Sequence, residues 1–290
     1  MTNGSRDSLW LISSDRSRPV GASAQTKPAQ TFCDSATFHF DGRVDGIAYP
    51  SLSPTQQDNF KATFRRELLG LDTWSHEANW SPATSVNLQV FVSDDYRISR
   101  SLLPAALGQR GRMEFPAWKI VAGEAAITHE LVHVYFPNGN RFIAEGLAIY
   151  LQARIGGNPA FPNFGKPLHD LTRDLLRNMA PEFADGSVRS LEGVRLANLD
   201  RIATPSHLRL RVGLKLYQDD PTGQAHIYPL VGSFVQFLID TYGTDAFREL
   251  FARTPLTPFE RNAGSPDRWT QVYGRSIEDI EMQWRSLIAS

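Results

Sequence analysis

The chain has 290 residues, enough to bury a substantial core, and its 41% hydrophobic and 21% charged residues are the balance of a globular protein and not of a disordered one. A formal net charge of -1 gives no electrostatic basis for nucleic acid or an anionic membrane as partner. Cys33 is the only cysteine, which excludes an internal disulfide and a cysteine-rich zinc site.

Residues 1–30 are polar, with Leu9 to Ile12 their one hydrophobic run, and read as a disordered tail. That run is shorter than the roughly 7 to 15 apolar residues of a secretory core, so no signal peptide is readable. The cytoplasm is the default compartment, with export left open. Thr31 to Phe40 carries β-branched and aromatic residues with partial alternation, a predicted strand. Ser53 or Thr55 caps a predicted helix from about Gln56 to Leu69, with Phe60, Phe64, Leu68 and Leu69 at helical spacing and Gly70 as its stop. Ser85 to Ser93 alternates cleanly through Val86, Leu88, Val90 and Val92, a second strand. Asp94 to Leu107 reads as a short helix interrupted by Pro104, and Arg112 to Val121 as a third strand. Strands mixed with helices over residues 31–122 predict a small α/β lobe with a sheet.

From Gly123 onward the periodicity is helical almost throughout. Predicted helices are the segment through Phe136, then Phe142 to Ala153, Leu168 to Met179, Ser190 to Ile202, Tyr228 to Tyr242, Thr244 to Arg253 and Ser276 to Ile288. Gly156 to Pro159 and Phe161 to Lys166 are breakers and loop, and Leu208 to Thr222 is ambiguous. The expected fold is α+β: the small N-terminal lobe, then the motif helices and a mainly α-helical C-terminal lobe over residues 123–290, forming one unit. The longest apolar runs, such as Ile127 to Phe136, fall short of the roughly 18 to 20 residues of a spanning helix, so no membrane span is expected.

The chemistry concentrates in Ala126-Ile127-Thr128-His129-Glu130-Leu131-Val132-His133 and in Phe142-Ile143-Ala144-Glu145-Gly146-Leu147-Ala148-Ile149-Tyr150. Residues four apart share a helix face, so His129 and His133 can point both imidazoles at one ion. Glu130, about 100° around the helix from His129, stays off the ion and stands beside water bound there. A zinc ion would acidify that water, and Glu130 would take its proton during attack on a carbonyl and pass it to the leaving amine. A catalytic zinc takes three protein ligands and keeps one position open. Pro137 to Asn140 lets the chain reverse, and Glu145 in the next helix is the third ligand, an acid among apolar neighbours whose burial a metal would compensate.

At these residues the chain resembles the gluzincins, the thermolysin-like zinc metallopeptidases, and looks closest to their peptidase-MA-like group, whose second helix reads Phe/Trp-x-x-Glu-Gly-x-Ala-x-Tyr. The resemblance extends in outline over Val86 to Ile288, through Tyr228 with Ser233 to Leu238 and through Tyr273 to Trp284. It implies a thermolysin-like zincin fold, peptide or protein substrates, and a strand before the active helix, within Arg112 to Val121, whose edge binds extended peptide. It also implies an aspartate four residues after the third ligand to orient the first histidine. This chain has Ile149 there, leaving Asn138, Asn140 or a backbone carbonyl as the candidates for that task.

Tyr228, which matches the family's tyrosine, is the candidate donor to the developing oxyanion, and His226 could assist it. His39, His76, His169 and His207 lack ligand spacing and read as structural or exposed, and Phe142, Tyr150, Trp118 and Trp284 as packing residues. Two alternatives stand beside a peptidase: a zinc hydrolase of a non-peptide amide or ester, and a non-catalytic binding module with a relict site.

Overall fold

The computed structural model describes residues 36–40, 43–44, 47–48, 52–82, 86–102, 111–156, 163–178, 195–201, 221–254 and 264–290. Residues 1–30, His207 and most of 208–222 lie outside them. The described residues belong to one compact unit of mixed α and β structure.

Four strands form the main sheet in the order β1 (Ala36–His39), β4 (Leu88–Ser93), β6 (Arg112–Pro116) and β5 (Arg100–Ser101). β1, β4 and β6 run parallel and β5 is antiparallel at the edge, while β2 (Arg43–Val44) and β3 (Ile47–Ala48) pair separately. Leu88, Val90 and Val92 are buried, as their alternation predicts. The connection from β1 to β4 is α1 (Pro54–Glu77), opened by a capping box in which the Ser53 hydroxyl accepts from Gln56 N and the Ser53 N–H donates to Gln56 Oε1. Its Phe60 and Phe64 pack against Phe38 of β1, and Phe60 also meets Phe115 of β6, which fixes α1 across the sheet.

Three expectations fail in this lobe. Gly70 does not stop α1, because Leu71 and Trp74 continue the buried face; a Cβ at Gly70 would come 2.5 Å from Ile155 Cγ2, so the bare position serves a close approach. Residues 94–102 are not helical: the Ser93 hydroxyl accepts from Asp95 N at 3.2 Å, turning the chain toward β5, and 103–107 lie outside the described residues. The strand from Arg112 ends at Pro116, which has no N–H for a ladder, and Ala117–Val121 is α2. β6 therefore has a partner on each side, and the edge strand is β5.

The rest of the described chain is helical: α3 (Ile127–Tyr135), α4 (Arg141–Leu151) continued by a π turn (Gln152–Gly156), α5 (Leu168–Asn178), α6 (Leu196–Arg201), α7 (Pro221–Tyr242), α8 (Thr244–Ala252), α9 (Asp267–Tyr273) and α10 (Ile277–Ala289). α7 begins seven residues before its predicted start at Tyr228, and α9 was not legible from periodicity. Phe142 of α4, Phe234 of α7, Trp269 of α9 and Trp284 of α10 form one buried aromatic cluster. Among the described residues, no helix is long and apolar enough to cross a membrane.

Candidate metal centre

The motif helix α3 lacks a cap of its own, since Ala126 at its N-cap has no side-chain acceptor. Its first N–H groups need partners from elsewhere. Glu67 of α1, fully buried, accepts at Oε2 from Thr128 N (2.9 Å) and from the Thr128 hydroxyl (2.7 Å). Gln152 accepts at Oε1 from His129 N at 3.0 Å. The reversal between α3 and α4 is equally well held. Asn138 accepts from Asn140 N and donates to Phe251 O, while Asn140 caps α4 by accepting from Ile143 N. Asn140 also donates to Asp200, whose carboxylate is bound by Arg268 and by Trp269 Nε1 as well.

This scaffold brings the three predicted ligands together. The distances are 3.1 Å between His129 Nε2 and His133 Nε2, 3.1 Å from His129 Nε2 to Glu145 Oε2, and 3.4 Å from His133 Nε2 to Glu145 Oε2. Ligands at about 2.0 to 2.1 Å on a tetrahedral ion stand about 3.3 to 3.4 Å apart, so the triangle has the size of one face of such a shell. All three side chains are buried, and Glu145 Oε2 has no hydrogen-bond partner from outside the triangle. A carboxylate oxygen left bare in a closed interior is costly unless a cation completes it. The donor set of two imidazoles and a carboxylate fits zinc.

The other carboxylate oxygen is taken. Arg141, one turn before Glu145, holds Oε1. Burial raises the Glu145 carboxyl, but the Arg141 guanidinium and then His133 outweigh it and hold the group well below the usual carboxylate range. Glu130 lies beside the triangle, almost fully buried; burial raises its pKa, opposed by His129 and by a hydrogen bond from Ser101 of β5. Lys119 of α2 lies within electrostatic reach of Glu130, with burial lowering its own pKa. Tyr228 is buried with its ring stacked on His129 (centroids 6.1 Å apart, planes 20°), and its hydroxyl bonds Arg141. Burial, with Glu145 adding, raises the phenol pKa and keeps it a donor. His226 belongs to α7 as well, and its side chain lies outside the described residues.

Neither asparagine orients His129, because both are engaged in holding the turn, and His129 Nδ1 is buried with no hydrogen-bond partner, a carbonyl included. Ile149, at the position where the resemblance implies an aspartate, is fully buried against α7, where a Cβ at Gly232 would fall 2.3 Å from Ile149 Cγ2. A carboxylate there would be buried at a tight helix contact. Of the predicted packing residues, Phe142, Tyr150 and Trp284 are buried and Trp118 is half exposed on α2. His39, His76 and His169 contact Gln89, Asp72 and Ser233, away from the triangle.

Sequence reasoning missed Ser101, Lys119, Arg141, Glu67 and Gln152. Only Arg141 had a local signal, its position four residues before a buried acid.

Glu67 gives the fold a pH dependence. Burial pushes its carboxyl from the ordinary 4.5 up to about 7, against the opposing Thr128 hydrogen bonds. The folded protein thus holds this proton more tightly than the unfolded chain, a contribution complete below pH 4.5 and lost as pH rises through about 7. At 1.36 kcal/mol per unit the loss is about 3 kcal/mol. Glu67→Gln keeps an acceptor for Thr128 and does not titrate. Denaturant midpoints measured from pH 4 to pH 8 are expected to show the wild type losing up to about 3 kcal/mol relative to the variant; parallel curves would refute the assignment.

Compared with known proteins, the chain matches no family model, no curated protein and no solved structure.

Proposed function

We propose that the protein is a zinc-dependent metallopeptidase of the gluzincin type, hydrolysing peptide bonds with Glu130 as the base. The observation that carries this reading is the convergence of His129, His133 and Glu145 at tetrahedral spacing around an unsatisfied buried oxygen, with a non-ligating carboxylate on the adjacent residue. The mixed α and β architecture is in keeping with the α+β class that this reading expects.

Zinc, when bound, supplies a Lewis acid that polarises a carbonyl and acidifies water. The remaining steps belong to the chain. Glu130, desolvated and aimed by Ser101, accepts a proton from the attacking water at its carboxylate and returns it to the leaving nitrogen. The Tyr228 hydroxyl donates to the oxygen on which negative charge develops. Arg141 holds Glu145 by one oxygen, leaving the other for the ion.

A peptide, as opposed to a small amide, is favoured by β5. Leu102 N donates to Arg112 O at 3.0 Å, so in this antiparallel ladder the neighbouring Ser101 turns its own N–H and C=O away from β6, toward the outer edge. An extended segment pairing there would run past the residue that bonds Glu130.

The test is metal-dependent proteolysis. Purified protein supplied with zinc is expected to bind one ion per chain and to cleave an unstructured polypeptide, with activity lost to a chelator and regained on adding zinc. A metal-loaded protein that cleaves small amides but no member of a diverse peptide library would overturn the peptide assignment, and failure to retain any metal would overturn the enzyme.

A further inference from the structure

Metal-bound histidines ordinarily donate their second ring N–H to a carboxylate or carbonyl, which fixes the imidazole. Here His129 Nδ1 has no such partner. The main chain of His129, by contrast, is held firmly. Its N–H is one of the first-turn donors that α3 cannot satisfy internally, and Gln152 receives it at 3.0 Å.

Gln152 is unusual in three respects that share one outcome. It is 2% exposed, and so is committed to the interior. It begins the π turn Gln152–Gly156, where α4 widens immediately after the helix that carries Glu145; single π turns inserted in α-helices are frequent at functional sites. Its amide also fills the space that a side chain at position 156 would need. A Cβ on Gly156 would fall 1.9 Å from Gln152 Nε2 and 2.8 Å from its Cδ. The π turn, the glycine and the amide together deliver one acceptor to the backbone of one ligand.

From this we infer that Gln152 is a positioning residue of the metal centre, fixing His129 through its peptide N–H where Nδ1 of the imidazole has no hydrogen bond. The same residue ties the end of the helix bearing Glu145 to the start of the helix bearing both histidines. The relative placement of all three ligands therefore depends on it. The inference rests on the metal-site reading above.

Zinc affinity, measured by competition with a chromophoric chelator, tests it, with the visible spectrum of the cobalt-loaded protein as a second readout and the thermal midpoint of the metal-free protein as control. Gln152→Leu is expected to weaken zinc binding about 10- to 100-fold, the usual effect of losing an outer partner of a ligand, and to change the cobalt spectrum. Gly156→Ala, which leaves Gln152 in the sequence but displaces its amide, is expected to do the same. Gln152→Glu keeps the acceptor oxygen and is expected to stay within a few-fold of the wild type. A purely structural role would lower the metal-free midpoint in Gln152→Leu and Gly156→Ala while leaving affinity and spectrum unmoved, and that result overturns the inference. If Gln152→Leu does not fold, Gly156→Ala against Gln152→Glu decides: equal affinities overturn it, weaker binding by the alanine variant alone supports it. A wild-type protein that binds no zinc removes the metal reading itself, and this inference with it.

Discussion

Glu130→Gln is expected to leave zinc bound at the wild-type stoichiometry and to lower kcat for peptide cleavage by about 10²- to 10⁴-fold, the range general-base catalysis contributes. The substitution keeps the size and the polar contacts of the side chain, including the bond with Ser101, and removes only the ability to take a proton. Glu130 is not among the three residues whose donor atoms converge, so the metal should not notice the change. Measuring zinc content and turnover on the same preparation separates the possibilities. Loss of both would make Glu130 part of the metal's support, and unchanged turnover would remove it from the chemistry altogether.

The parts of this site that were legible in the sequence are those fixed by local geometry. His129 and His133 are four residues apart in an apolar helical pattern, and a helix alone puts them on one face. Glu145 was legible because a run of turn residues between two helical patterns forces a reversal, and an acid among apolar residues demands a partner. β4 was legible because its alternation is local too. What escaped are features decided by a neighbour distant in sequence. Gly70 reads as a breaker until Ile155 is found against it. β5 is two residues long, too short for any periodicity, and exists because β6 offers it a ladder. Trp118 looks like core, yet α2 leaves it half exposed. Glu67 and Gln152 are 61 and 23 residues from the backbone groups they satisfy, and no motif joins them to α3. The turn asparagines were read as candidates for His129 because they lie near it in sequence, whereas Asp200 and Phe251 claim their amides.

Glu145→Ala is expected to abolish zinc binding and to lower the stability of the metal-free protein as well, for two separable reasons. The first is coordination: with one carboxylate gone, two imidazoles remain, below the three protein ligands of a catalytic zinc site. Free zinc at about a hundred times its dissociation constant stabilises a one-site protein by about 2.7 kcal/mol, so the wild type should show a zinc-dependent rise in thermal midpoint that the variant lacks. The second reason is Arg141, whose guanidinium loses the carboxylate it holds. Removing one partner of a buried ion pair costs about 3 to 5 kcal/mol. Arg141 keeps 21% of its side chain in contact with water, which places the expected loss at the lower end or beneath it, about 1 to 3 kcal/mol. Adding Arg141→Met to Glu145→Ala removes the cation that has lost its carboxylate and should recover part of that stability without recovering zinc binding. A Glu145→Ala protein that still gains stability from zinc would show that the ion sits elsewhere. One that is as stable as the wild type without metal would show that Arg141 does not depend on Glu145 for its charge balance.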